Sequence, residues 1–151
     1  MSARYPDTYY AATKNQEISN DEFIDNQEVE TCIVGGGYAG LMTALGLVER
    51  GHTNIAIVDK HGIGYGCSGR NGGLVFAGYS LGAKALVKQV GLEQTKILYQ
   101  FTQAAVNLIR RRVVQYTISC DLVDKGALWA NWFKDQSILR DEQNFMRDTI
   151  G

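Results

Sequence analysis

Paired cysteines and an excess of either charge are both missing from this sequence. The three cysteines, Cys32, Cys67 and Cys120, are odd in number and widely spaced, and no two of them form a Cys-x-x-Cys pair. This pattern argues against a disulfide framework and a zinc site, and it favours a reducing cytoplasm. His52 and His61 have no partner at ligand spacing, so no metal site is expected. The net charge of -1 gives no electrostatic footprint for nucleic acid or an anionic membrane, and neither is expected as a partner.

Long apolar runs are missing as well. The first thirty residues are polar and acidic, without the apolar core of an export signal. Every apolar stretch falls short of the roughly 18 to 20 residues that span a bilayer. No transmembrane segment is therefore expected, and the chain has the length of one ordinary domain.

Glycine is abundant, and it is concentrated in one segment. Twelve of the 17 glycines fall between Gly35 and Gly73, while the only proline is Pro6. Clustered glycine indicates backbone that must turn sharply or approach another group closely.

The segment from residue 29 to residue 59 has the pattern of a strand, a helix and a second strand. A short apolar run ends in three consecutive glycines that begin at Gly35. Apolar residues then recur at helical spacing until Gly51. Residues 54–59 form another apolar run without alternation, which is typical of a strand inside a parallel sheet. We predict an α/β fold with a Rossmann-like βαβ unit.

Further elements follow from periodicity. We predict helices over residues 80–90, 92–115 and 135–146, and an aromatic strand over residues 126–133. Residues 1–28 resemble an irregular leader or strap, anchored by Tyr5, Tyr9 and Tyr10. The predicted portions are the leader at 1–28, a cofactor-binding portion at 29–118 and the start of a second portion at 119–151.

Gly35-x-Gly37-x-x-Gly40 lies between the first predicted strand and helix, which is the context of a dinucleotide-binding fingerprint. Gly35 permits the tight turn, Gly37 lets the main chain approach a pyrophosphate, and Gly40 allows close packing of helix on strand. Asp59 ends the second strand 19 residues later, where a carboxylate accepts hydrogen bonds from the adenosine ribose. To this point NAD and FAD fit equally well, and the alternative role for Asp59 is a strand cap.

A second glycine-rich loop, residues 61–73, separates the two cofactors. Ser68, Arg70 and Asn71 are set among its six glycines. A nicotinamide domain normally continues directly into its next helix, whereas FAD needs further backbone along its ribityl chain and ring. The loop therefore favours FAD over NAD, and the competing interpretation is a flexible surface loop.

Two motifs give the chain a family resemblance. Ser68-Gly-Arg-Asn-Gly-Gly73 and Cys32-Ile-Val-Gly-Gly-Gly-Tyr-Ala-Gly-Leu41 resemble the amino-terminal half of the D-amino-acid-oxidase superfamily. The resemblance implies an FAD-binding domain that ends before it is complete, followed by the start of an α+β substrate domain. It also implies cofactor contacts from a set of backbone and polar groups: Gly35, Gly37, Tyr38, Ala39, Gly40, Asp59, Lys60, Ser68, Arg70, Asn71 and Gly72.

The resemblance further implies a reaction. Hydride leaves the carbon that bears an amine, such as that of gamma-glutamylputrescine, and is delivered to flavin. The imine hydrolyses to an aldehyde and ammonia, and molecular oxygen reoxidises the flavin with formation of hydrogen peroxide. Alternatives are a related oxidase of glycine, sarcosine or D-amino acids, and a cofactor-binding fragment without turnover. No catalytic residue and no oligomeric state follow from the sequence.

Two positions depart from the family pattern. Asp59 stands where the family usually has glutamate, so its shorter side chain would reach the ribose through a backbone shift or a water. Cys67 replaces a usual alanine, and we expect a small buried thiol that packs without reacting. Among the remaining signals, Arg110-Arg111-Arg112 is expected to be a solvated helix face, because adjacent helical residues point in different directions. Trp129, Trp132 and Phe133 are expected to fill core.

Overall fold

A computed structural model of the protein describes residues 5–16, 22 and 25–151. The chain divides into two compact units, Met1–Leu74 and Val75–Gly151. The functional boundaries predicted at 28/29 and 118/119 stay predictions, because a compact unit is defined by internal contacts and a functional domain by what it binds.

The predicted leader falls partly outside the described residues. Its described part contains one short helix, α1, at Tyr9–Ala12, where irregular backbone was predicted. Thr8 caps this helix, since its Oγ1 accepts a hydrogen bond from the Ala11 N–H at 3.3 Å. The side chain of Tyr9 is 74% exposed, so the prediction that Tyr9 anchors the leader is wrong. Tyr5 does contact the rest of the first unit, as described below.

The first unit contains the predicted βαβ arrangement. Strand β1 spans Thr31–Val34, helix α2 spans Tyr38–Val48, and strand β2 spans Ile55–Val58. The two strands are parallel, with Thr31 opposite Ile55 and Val34 opposite Val58. Gly51, whose φ is +92°, follows the end of α2 in a conformation that favours glycine. The order strand, helix and parallel strand confirms the βαβ prediction within the described residues.

Helices make up most of the second unit. They are α3 at Ala83–Val90, α4 at Leu92–Gln115 and α5 at Ser137–Phe145, followed by a π-helical turn at Met146–Ile150. The three helices confirm the predicted ones to within a few residues. Gly91 separates α3 from α4 with a φ of +84°, which a side chain would strain. Within the described ranges, none of the helices is long and apolar enough to cross a membrane.

The core of the second unit lies where α3 meets α4 and the π-helical turn. Ala83, Leu86 and Ile150 are its buried apolar residues. Thr95 is fully buried, and its hydroxyl donates to the Gly91 carbonyl at 2.7 Å, so burial leaves no unpaired polar atom there. This small core orders the start of α4.

The aromatic segment 126–133 is not a strand, and this prediction is wrong. Its backbone has no regular structure, and Trp129 and Trp132 are 81% and 92% exposed. The expectation that Trp129, Trp132 and Phe133 fill core is therefore also wrong. A strand forms only when its N–H and C=O groups pair with a neighbour, and no described residue pairs with this segment.

In the arginine run near the end of α4, Arg110 and Arg111 are exposed as predicted, whereas Arg112 is half-buried. Arg110 Nη2 lies 2.7 Å from Asp124 Oδ1. The hydrogen bond from Arg110 lowers the pKa of Asp124, and the same bond raises the pKa of Arg110. Both side chains are exposed, so the pair contributes little to stability.

Candidate functional site

Two glycines of the turn between β1 and α2 disfavour a side chain, Gly35 because of its positive φ and Gly40 because of its close contacts. Gly35 has a φ of +110°, and its N–H donates to the Val58 carbonyl at 2.7 Å, which extends the strand pairing by one residue. A Cβ on Gly40 would lie 1.9 Å from the Gly35 carbonyl oxygen and 3.3 Å from a methyl of Ile33. The helix thus packs on the strand at a distance that only glycine permits.

The amino terminus of α2 leaves backbone donors available. Gly37 is the cap residue and offers no side-chain hydrogen bond, and no acidic residue lies in the first turn. No hydrogen bond joins the N–H groups of Ala39 and Gly40 to any residue that the structure describes. Free amides and the positive end of a helix dipole are the groups that bind anions such as phosphate at helix amino termini.

Asp59 ties this turn to the end of β2. Its Oδ2 accepts from the Gly36 N–H at 2.8 Å, and its Oδ1 accepts from the N–H groups of His61 and Gly62 at 2.8 and 2.9 Å. Hydrogen bonds from the backbone of Gly62, Gly36 and His61 lower the pKa of Asp59 to about 2. A carboxylate has about four acceptor positions, so these bonds leave room for one further donor. The predicted ribose contact stays a prediction.

Gly36 is a residue whose importance sequence reasoning missed, because the fingerprint leaves its position open. It is buried, and a Cβ there would lie 2.7 Å from Ile63 Cδ1 and 3.2 Å from Ile63 Cα. Its carbonyl accepts from the Gly64 N–H at 2.8 Å. The third consecutive glycine at 35–37 was the available signal, since the fingerprint requires only two of them.

The second glycine-rich loop is held against the start of α2. Ser68 lies in a short 3-10 turn, Cys67–Gly69, and its Oγ accepts from the Tyr38 N–H at 3.1 Å. Asn71 Nδ2 donates to the Tyr38 hydroxyl at 3.0 Å and to the Ser68 carbonyl at 2.9 Å. The two motifs therefore meet at one helix terminus. The loop is built from specific hydrogen bonds, which a merely flexible loop would lack.

The remaining predicted contacts are less constrained. Arg70 is exposed and donates through Nε to the Gly66 carbonyl at 3.3 Å. Lys60 is exposed, and a Cβ on Gly72 would meet only Leu74, at 3.9 Å. Cys67 is also exposed. The prediction of a buried, packing thiol is wrong, because the described residues leave Cys67 open to solvent.

The geometry fits a cofactor with a diphosphate. A Cβ on Gly37 would lie 2.9 Å from Ser68 Oγ, so the space before α2 stays open only because that position is glycine. This space is bordered by the free amides of Ala39 and Gly40 and by the loop that begins at Ser68. Among the described residues, no group of His, Cys, Asp and Glu side chains could hold a metal ion.

Replacing Asp59 with asparagine should destabilise the protein in a pH-dependent way. The pKa of Asp59 is lowered on folding, from an ordinary value of about 3.9 to about 2. Its stabilising effect is therefore fully present above pH ~4 and is lost as the pH falls towards ~2. Urea unfolding of both proteins should show a gap in unfolding free energy at pH 7 that narrows below pH ~4. An equal gap at all pH values would contradict the assigned hydrogen bonds.

Comparison with known proteins places these motifs in a family. The profile of the DAO family, described as FAD dependent oxidoreductase, matches residues 30–149. The chain is 32% identical to gamma-glutamylputrescine oxidoreductase of Escherichia coli K12, over 90% of this chain and 32% of that protein. It is 30% identical to the probable oxidoreductase OrdL of Haemophilus influenzae, over 76% of this chain and 26% of that protein.

The chain thus spans about a third or less of these relatives. No solved structure gives a significant match. The family match covers both glycine-rich segments and confirms the expected cofactor, FAD. On this match and the geometry of the two segments, the chain belongs to the DAO family of FAD-dependent oxidoreductases.

Proposed function

We propose that the protein oxidatively deaminates an amine, gamma-glutamylputrescine or a similar compound, with FAD as hydride acceptor and molecular oxygen as final oxidant. One observation carries the cofactor part of the proposal: Ser68 and Asn71 both bond to Tyr38 at the start of α2. The amine is suggested by the name of the Escherichia coli relative. The specificity for this substrate and the use of oxygen are part of the proposal.

The residues that would hold FAD divide into a first group, at the start of α2 and after the end of β2, and a second group in the second glycine-rich loop. The N–H groups of Ala39 and Gly40, with the dipole of α2, would bind the diphosphate. The remaining acceptor position of Asp59 would take a ribose hydroxyl, and Lys60 lies next to it in sequence. The second group would contact the pyrophosphate, ribityl chain or ring: Ser68, Arg70, Asn71 and Gly72. When bound, FAD supplies the hydride acceptor for the carbon that bears the amine.

Tyr38 has a positioning role in this arrangement. Its N–H and its hydroxyl are each bonded to the second loop, through Ser68 and Asn71. Asn71 Oδ1 accepts in turn from the Gly73 N–H at 2.9 Å. These bonds hold the loop against the start of α2, which lowers the ordering cost of binding. We nominate no catalytic acid or base.

The cytoplasm is the compartment we propose. Cys32, Cys67 and Cys120 are all free and exposed thiols. A reducing compartment keeps such thiols from pairing with other molecules.

Anaerobic reduction of the flavin tests the proposal. The complete gene product, loaded with FAD, should lose its visible flavin absorbance when mixed with gamma-glutamylputrescine. Readmission of air should restore the absorbance and release hydrogen peroxide. Glycine, sarcosine and a D-amino acid serve as comparison substrates, and faster bleaching by one of them would reassign the substrate within the family. A bound flavin that none of these amines reduces would contradict the proposed activity.

A further inference from the structure

One peptide group connects the leader to the turn between β1 and α2. The peptide that joins Ile63 to Gly64 donates its N–H to the Gly36 carbonyl at 2.8 Å. The carbonyl of the same peptide accepts the hydroxyl hydrogen of Tyr5. The leader and the glycine turn therefore bind opposite ends of a single amide. Hydrogen bonds in such a chain polarise and strengthen one another.

The ring of Tyr5 is held on more than one side. It lies against Tyr65, with ring centroids 5.8 Å apart. The ammonium group of Lys14 lies 4.8 Å from the centre of the Tyr5 ring, within the range of a cation–π contact. Helix α1 connects Tyr5 to Lys14, so the described leader, residues 5–16, is folded around this ring.

Tyr5 contacts one end of the loop formed by residues 59–65, and Asp59 fixes the other end. The ring of Tyr65 stacks on His61 at 4.2 Å with an interplanar angle of 23°. The N–H of His61 is in turn bonded to the Asp59 carboxylate. Residues 59–65 thus have an inner attachment at Asp59 and an outer attachment at Tyr5. Between the two, Ile63 packs against Gly36, where a Cβ would lie only 2.7 Å from its side chain.

We propose that Tyr5 is a positioning residue for the cofactor, because its hydroxyl holds the Ile63–Gly64 peptide against the carbonyl of Gly36. The inference rests on the proposed FAD site and adds a residue of the leader to it. If the Ile63–Gly64 peptide moves away, the Gly36 carbonyl loses its hydrogen-bond donor and the turn before α2 spends less time in the conformation that binds the cofactor. Apparent affinity falls in proportion to the fraction of molecules in that conformation.

The test compares Tyr5→Phe with Tyr9→Phe in the complete gene product. Tyr5→Phe keeps the ring contacts and removes only the hydroxyl, whereas Tyr9 lies in the same leader with a largely exposed side chain. We expect Tyr5→Phe to weaken FAD binding roughly five-fold, as loss of one hydrogen bond implies, and to speed FAD release. Tyr9→Phe should match the wild type. Tyr5→Ala removes the ring contacts as well and should weaken binding further.

A second readout does not require FAD. In the ligand-free protein, hydrogen exchange at the Gly64 amide should be faster in Tyr5→Phe than in Tyr9→Phe, while the melting temperature changes little. Unchanged exchange at Gly64 together with unchanged FAD affinity in Tyr5→Phe would overturn the inference. Fast exchange at Gly64 in a protein that binds no FAD would support the Tyr5 contact and refute the proposed cofactor site. A lower melting temperature with unchanged exchange and affinity would indicate a purely structural role and also overturn it.

Discussion

Gly40→Ala should destabilise the first unit and abolish FAD retention. The new Cβ would lie 1.9 Å from the Gly35 carbonyl oxygen and 3.3 Å from the Ile33 side chain. Gly35 cannot move aside cheaply, because its N–H is bonded to Val58 in the strand pairing. Overpacking of this severity against backbone lies at the upper end of such effects, so we expect a loss of about 3 kcal/mol. Denaturant unfolding and the flavin content of purified protein measure the two effects.

Gly66→Ala is the matched control for this substitution. Gly66 lies in the same unit with a φ of -81°, and a Cβ there meets no atom within 4 Å. Replacing Gly66 with alanine should change the free energy of unfolding by no more than about 1 kcal/mol in either direction. Equal stability of the Gly40 and Gly66 variants would contradict the close packing of α2 on β1.

Gly37→Val should leave the protein folded and remove most of its affinity for FAD. Gly37 has a φ of -92°, which valine adopts without strain, so the backbone does not forbid the change. The Cβ would lie 2.9 Å from Ser68 Oγ, and the branched side chain would fill the space before the amides of Ala39 and Gly40. Losing two charge-assisted hydrogen bonds to phosphate implies an affinity weaker by at least about 100-fold. Quenching of FAD fluorescence on titration measures the change.

Gly82→Val is the corresponding control. Gly82 is likewise the cap residue of a helix, α3, in an extended conformation with φ -60° and ψ 151°, and no atom lies within 4 Å of its Cβ position. This variant should bind FAD as the wild type does. If Gly37→Val and Gly82→Val both kept wild-type affinity, the diphosphate would not lie at the start of α2.

Local patterns predicted the elements that depend on local forces. The βαβ unit follows from two apolar runs on either side of a helical repeat. The long helix at Leu92–Gln115 was predicted with these bounds, because apolar residues recur along one stripe of it at helical spacing.

Features that depend on distant partners could not be predicted. The segment around Trp129 and Trp132 has the aromatic composition of a strand. A strand also requires a neighbouring strand to pair with, and composition does not specify one. The prediction that Cys67 is buried failed for the same reason, since burial depends on which distant residues cover a side chain. Tyr5 and Ile63 are 58 residues apart in sequence, and no periodicity connects them.

The candidate site was predicted in part. The adjacency of the two glycine-rich segments follows from both lying at the carboxyl ends of parallel strands, and Tyr38 joins them through Ser68 and Asn71. The bonds of Asp59 to the His61 and Gly62 amides match the alternative of a strand cap, whereas its bond to the Gly36 amide was not predicted. Its short side chain reaches Gly36, so the carboxylate that was predicted to face a ribose also closes the turn.

A structure of the complete gene product bound to FAD tests the central claim most directly. It should show diphosphate oxygens within hydrogen-bond distance of the Ala39 and Gly40 amides and the isoalloxazine ring beside residues 68–73. Density for FAD elsewhere in the protein, with the start of α2 facing only solvent, would contradict the site described for this chain.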